Sequence, residues 1–472
     1  MNLTDGIFLA FLAVLFAAYY IVPKSLRGYR WVILLIGSLY FYYYSGFILY
    51  ALATIASTYV FSRLLGRKKS RVLALVWFVL HVGLLAAVKI PRIGLLMPLG
   101  ISFYTFQSAG YILDVYRGKA EVEKNPLKLA LFVSFFPQMI QGPISRFGDL
   151  TKTLYYDGEL SMENVSVGLR RVLWGFFKKL VIADRLLAAV LLMSGDTEVF
   201  YGGYAWLNIL IYAVVLYADF TGGIDIAIGA VRLFGVKVTE NFDRPFYSKN
   251  TAEYWRRWHI TMGTWFRDYL FYPLSVCKPM RKFSKVSRKI FGNNFGKRLP
   301  VYITTLVTWF MTGLWHGVEA NFIAWGLANG IVIVVSQECE ALYARFHGRF
   351  SKIGAAKWYS AFAVARTFLL MCAIRSFDIY RDVGLTFRMV FSIFGSWNTE
   401  LVSIGIDAAD CIVAALAVAL LIIAGLSRPR RWFESLKPPV RLFLCLILLC
   451  AILVFGVYGY GYDSNQFIYN QF

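Results

Sequence analysis

Apolar residues run along this chain in blocks of membrane-spanning length, not in the short alternating stretches of a soluble core. The blocks fall at 6–22, 31–46, 48–64, 72–89, 95–113, 127–142, 165–195, 204–232, 300–335, 360–375, 409–426 and 440–459. A helix needs about 20 predominantly apolar residues to cross the hydrocarbon of a bilayer. The pattern predicts an all-α polytopic membrane protein with about 11–12 transmembrane and re-entrant helices.

Two blocks depart from a clean spanning helix. The block 165–195 carries Arg170, Arg171, Lys178 and Lys179, and 300–335 is punctuated by Gly313, Gly317, Gly326 and Gly330. Both predict bent or re-entrant backbone, which is tolerated at membrane depth where it lines a cavity. The most polar stretch, Lys237 to Arg298, is too long for a plain connector, and function is expected on either side of it. One integral domain over 1–472 is expected, with N-terminal helices at 1–95, a core at 96–335 and C-terminal helices at 336–472.

Composition agrees, with 58% hydrophobic and 16% charged residues. The formal charge of +22 would suit a nucleic-acid partner, but the Lys and Arg sit in short clusters between apolar blocks. Clusters at Lys24 to Arg30, Arg63 to Arg71 and Arg117 to Lys124 follow the first, third and fifth blocks. The positive-inside rule places them on the cytoplasmic face, with an outside N-terminus, and no nucleic acid is expected. Asp5 and no basic residue precedes the first block, which is read as a retained span and not a cleaved leader. No repeated halves are visible, which weighs against a pump. The six cysteines form no CxxC pair and lie mostly inside apolar blocks; neither a metal site nor a disulfide framework is indicated.

Candidate chemistry centres on four histidines. His347, in the basic loop ARFHGRF, reads as solvated surface, and His81, in an apolar run, as a packed or hydrogen-bonded helix residue. His316 lies in TWFMTGLWHGVEANFIAWGLANG, where an ionisable side chain is costly unless it faces a cavity or meets a partner. Gly313 and Gly317 bracket it and would let a backbone or a substrate approach closely. Glu319 lies three positions on and would share its helix face as an orienting group. The alternative is a histidine hydrogen-bonded between helices.

His259 lies in NTAEYWRRWHITMGTWFRDYLFYPL, where Trp255, Trp258, Met262, Trp265 and Tyr269 recur at helical spacing. That stripe reads either as an interfacial anchor helix, with Arg256, Arg257, Arg267 and Asp268 off it, or as a site with His259 turned inward. Asp219 and Asp225, in YADFTGGIDIAIGAVRLFG, are acids in an apolar block, to be read as functional groups or as helix-to-helix partners. The run Lys278 to Arg298 holds eight bases and no acid, suiting lipid head groups or an anionic donor. No HExxH, GxSxG or phosphate-cradling GxxxxGK[ST] is present.

These segments together resemble the membrane-bound O-acyltransferase family, in its bacterial branch containing alginate O-acetylases and the teichoic-acid D-alanyl transfer proteins. The resemblance is carried in order by PLGISFYTFQSAGYILDVYRG, FFPQMIQGPISRF, GFFKKLVIADR, YADFTGGIDIAIG, ENFDRPFYSKNTAEYWRRWHITMGTWFRDYLFYPL, the GLWHG run and the closing FIYNQF. It implies a ring of tilted helices around a central tunnel. It also implies His316 as the catalytic residue and His259 as a second active-site residue, with Trp315, Arg256, Asn329, Glu319, Asp219 and Asp225 as supporting candidates. Two departures stand out: Asn329 replaces a histidine that many relatives carry, and Glu319 is unexpected after GLWHG.

The implied activity moves an acyl group, acetyl in the reading preferred here, from a cytoplasmic thioester to a hydroxyl of a cell-surface polysaccharide, or to an extracytoplasmic partner acyltransferase. Acetyl-CoA or an acyl carrier protein serves as substrate and not as a resident cofactor. The setting is the bacterial inner membrane. The rivals are D-alanyl transfer from a carrier protein to teichoic acid, and a non-catalytic glycan or lipid transporter. The segment FLLMCAIRSFD and the ending FIYNQF favour the acetylase branch.

Overall fold

The computed structural model describes residues 2–46, 48–90, 93–155, 158–395, 397–459 and 462; FIYNQF lies outside the described residues. Among them every regular element is a helix. Among the described residues seven helices are long and apolar enough to cross a membrane: Ile48–Arg67, Arg71–Val88, Gly203–Leu233, Ala320–Glu338, Lys357–Tyr380, Ala408–Gly425 and Pro438–Phe455. Other apolar blocks fold into shorter helices. Gly6–Ile21 has 16 residues and Pro126–Ser134 has 9, about 24 and 14 Å of helix against about 30 Å of hydrocarbon.

The chain divides into two compact units. Met1–Leu186, Val214–Thr239 and Asp407–Phe472 form one; Leu187–Ala213 and Glu240–Ile406 form the other.

The helix Met162–Phe176 of the first unit continues through a π-helical stretch, Phe177–Ala183, and then as the helix Asp184–Gly195, this stretch of the first unit ending at Leu186. The basic block is therefore helical throughout. It crosses Gly203–Leu233 where glycines seven residues apart meet. A Cβ on Gly175 would stand 2.6 Å from the Gly222 carbonyl oxygen, and one on Gly168 would stand 2.8 Å from that of Gly229. Opposite charges flank this crossing. Arg171 and Lys178 reach Asp225 at 2.9 and 2.6 Å, and Lys179 reaches both Asp184 and Asp219 at 2.7 Å. The wider π turn leaves the Leu180 carbonyl to accept from the Val457 N–H at 3.0 Å. In the same unit His81 stacks on Trp77 and its Nε2 meets Ser57 Oγ at 2.8 Å, so it is a packed helix residue.

In the second unit, the stretch expected to carry one tryptophan-striped helix is broken. Thr251–Arg257 ends, Trp258 is extended, His259 adopts a left-handed conformation (φ 45°, ψ 55°), and Ile260–Phe266 begins anew. A left-handed residue cannot continue a right-handed helix, so the 3.6-residue spacing of the aromatics does not describe one face here. The basic run opens the helix Lys278–His316, which is kinked at Gly292 (φ 76°).

That helix stops at His316: Gly317 is extended and Ala320–Glu338 follows. The two helices pack backbone to backbone through glycine. A Cβ on Gly313 would lie 2.5 Å from the Phe322 carbonyl oxygen, and one on Gly326 would lie 2.4 Å from that of Trp309. His347 is exposed and meets the Tyr359 hydroxyl at 3.1 Å, as expected of a surface residue.

Candidate active site

The second unit brings His259, Trp315, His316, Asn329 and four further tryptophans, Trp255, Trp258, Trp309 and Trp325, into one largely buried aromatic cluster. Trp315 links the histidines: its ring centroid lies 6.1 Å from that of His259 and 4.8 Å from that of His316. His259 is 1% exposed and His316 8%. His316 stands at the carbonyl end of its helix, and Trp325 from the following helix meets it edge-on at 4.7 Å. Trp325 also packs against Trp255 and Trp309, at 5.7 and 6.1 Å.

His259 is held by Asn241. The Asn241 Oδ1 accepts from the backbone N–H of Thr261 at 3.0 Å and from its hydroxyl at 2.9 Å, and it faces His259 Nδ1 at 3.2 Å. The Thr261 N–H can only donate, which fixes the amide oxygen on that side. His259 Nδ1 must then carry the hydrogen, which leaves the lone pair on Nε2. A second bond, from the Ile260 N–H to the Asn241 backbone carbonyl at 2.9 Å, holds the left-handed turn. Burial pushes the His259 imidazole down to about 3, helped by the Arg375 cation. The ring is neutral at physiological pH.

Asn329 orients the tryptophan wall. It accepts from Trp255 Nε1 at 3.1 Å and donates to the Trp325 carbonyl at 2.8 Å. The amide thus anchors the Trp255 indole to the helix Ala320–Glu338. Arg375 on Lys357–Tyr380 completes the wall. Its guanidinium carbon lies 4.9, 5.0 and 5.6 Å from the ring centres of Trp258, Trp325 and Trp255, and it pairs with Asp378 at 3.2 Å.

The remaining sequence candidates lie elsewhere. Glu319 does not share a helix face with His316: the chain straightens at Gly317, and Glu319 sits at the N-cap of the next helix with an exposed side chain that makes no cap hydrogen bond. Arg256 is exposed. Asp219 and Asp225 belong to the first unit, where Lys179, Lys178 and Arg171 bind their carboxylates, the helix-to-helix alternative. Asn241 and Arg375 were missed. Arg375 had a legible signal, a guanidinium within an apolar spanning block; Asn241, in a polar loop, had none.

An all-helical framework with membrane-length helices, carrying two buried histidines that both meet Trp315, defines a multi-pass membrane protein. Residues 122–374 match the model of the membrane-bound O-acyltransferase family, and the chain belongs to that family. It is 32% identical over 333 residues to "Probable alginate O-acetylase AlgI" of Azotobacter vinelandii, covering 70% of this chain and 59% of the relative. It is 32% identical over 285 residues to "Peptidoglycan O-acetyltransferase" of Helicobacter pylori, covering 55% and 51%. It is 26% identical over 294 residues to "Teichoic acid D-alanyltransferase" of Bacillus subtilis, covering 60% and 68%. The chain thus spans about three fifths of the length of the first of these relatives.

Proposed function

We propose that this protein is an O-acyltransferase of the bacterial inner membrane that moves an acetyl group from a cytoplasmic thioester, acetyl-CoA or an acyl carrier protein, toward a cell-surface polysaccharide. A partner acyltransferase outside the membrane would complete the transfer where the polysaccharide is not the direct acceptor. The observation that carries the reading is the buried pair His259 and His316 sharing the Trp315 ring, in a chain of this family.

In this reading the acceptor oxygen bonds to the thioester carbonyl carbon while its proton passes to the His316 imidazole. The C–S bond then breaks and the departing thiolate takes the proton back. The carbonyl end of the Lys278–His316 helix favours positive charge developing on that imidazole. His259, neutral with its lone pair on Nε2, holds the acceptor hydroxyl or relays its proton. Base catalysis supplies about a hundred- to ten-thousand-fold, and positioning on the tryptophan wall supplies much of the rest.

Thioester consumption by the purified protein tests the reading. His316→Ala should lower turnover about a hundredfold or more while the melting profile is kept; a folded variant with native turnover would leave a non-catalytic transporter as the better account. Comparing acetyl-loaded with D-alanyl-loaded donors separates acetyl from D-alanyl transfer.

A further inference from the structure

Arg375 stands where no role has been assigned to it. It is 7% exposed, on a helix long and apolar enough to span a membrane, and its partner Asp378 is 8% exposed. The Tyr254 hydroxyl is a further partner, yet the guanidinium Nε is buried with no acceptor. A buried ion pair is a poor way to gain stability, because the desolvation of both charges offsets their attraction and apolar residues of like volume often do as well. A partly satisfied one is a worse way.

The guanidinium is instead placed to control two segments at once. It lies against Trp258, which immediately precedes the left-handed His259, and against Trp325, whose edge meets His316 at 4.7 Å. Trp255, the third ring on the cation, is itself pinned by Asn329. His316 therefore meets one of the rings that this planar cation holds, and His259 directly follows another in the chain.

We propose that Arg375 is a positioning residue for acyl transfer: through cation–π contact with Trp258, Trp325 and Trp255 it sets the orientation of His259 and His316 for the acceptor hydroxyl. This rests on the transferase reading above. A planar, delocalised guanidinium can cover several rings, which a compact ammonium cannot. The groups around the cation are Asp378, Tyr254, Tyr212 and Cys372, and its charge also acts on His259.

The test is turnover of a thioester donor by the full-length protein in detergent or nanodiscs, measured against donor concentration and pH for Arg375→Gln and Arg375→Lys. For Arg375→Gln, kcat should fall about tenfold or more with KM within about twofold, and the acid limb of the pH profile should move upward as His259 loses the neighbouring charge. A folded Gln variant with native kcat, or with lowered kcat and an unmoved limb, would overturn the proposal. Should Arg375→Gln fail to fold, Arg375→Lys decides. Lowered kcat at unchanged KM supports a role for the planar group, and native kcat overturns it. His316→Ala run alongside keeps the two ideas apart: turnover surviving in it defeats the transferase reading, whereas its loss beside native Arg375 variants defeats only this inference.

Discussion

The indole N–H of Trp255 donates to Oδ1 of Asn329 at 3.1 Å, and Asn329 in turn donates to the Trp325 carbonyl at 2.8 Å. One amide therefore ties the segment before His259 to the helix that packs on His316. Asn329→Leu removes both bonds and leaves a buried indole donor unpaired, a cost of about 1–3 kcal/mol. Its melting temperature and turnover should both fall. Asn329→His keeps an acceptor for the indole and should retain most of both. A Leu variant matching the native protein in melting and rate would show that the amide orients nothing.

His259 makes stability depend on pH in a stated direction. Its folded-state value is about 3, against about 6.5 in an unfolded chain. Between those limits the unfolded chain binds a proton that the folded one excludes, so stability falls as pH drops from about 6.5 and is unaffected above it. Thermal unfolding from pH 7 to pH 4 should show a steeper fall for the native protein than for His259→Asn. Parallel curves would mean that the imidazole is not held neutral.

Glu319 is exposed, beyond the extended Gly317. Glu319→Gln should leave turnover within about twofold, the usual range for a surface substitution away from structural features. A drop of tenfold would restore it as an orienting partner of His316.

Gly175 and Gly222 set the helix crossing of the first unit. A methyl on Gly175 would meet backbone at 2.6 Å, which cannot be relieved by a side-chain rotation. Gly175→Ala should destabilise by about 1–3 kcal/mol, read as a lowered melting temperature in detergent, whereas Gly148→Ala, with open space around it, should not. Equal melting of the two variants would show that the close approach is not needed.

Periodicity and cost alone determined much of this protein. The long apolar blocks announced an all-helical membrane chain, because a bilayer leaves the backbone few alternatives. His316 stood out because an imidazole in so apolar a segment needs a reason. His81 and His347 were correctly set aside, and the ordered motifs identified the family.

What the sequence could not decide was which neighbours these residues meet. The aromatic spacing around His259 suggested one helix, since periodicity registers spacing and not the single left-handed residue that breaks it. Glu319 looked one turn from His316, but the helix ends between them. The acids Asp219 and Asp225 were equally readable as catalytic or structural until Lys179, Lys178 and Arg171 were found beside them. Asn241 and Arg375 lie 18 residues before and more than a hundred after His259, and only packing brings their amide and guanidinium to it. Local sequence dictates which segments are buried in lipid or protein. The tertiary structure decides which buried polar groups satisfy one another, because that pairing depends on contacts the chain order does not encode.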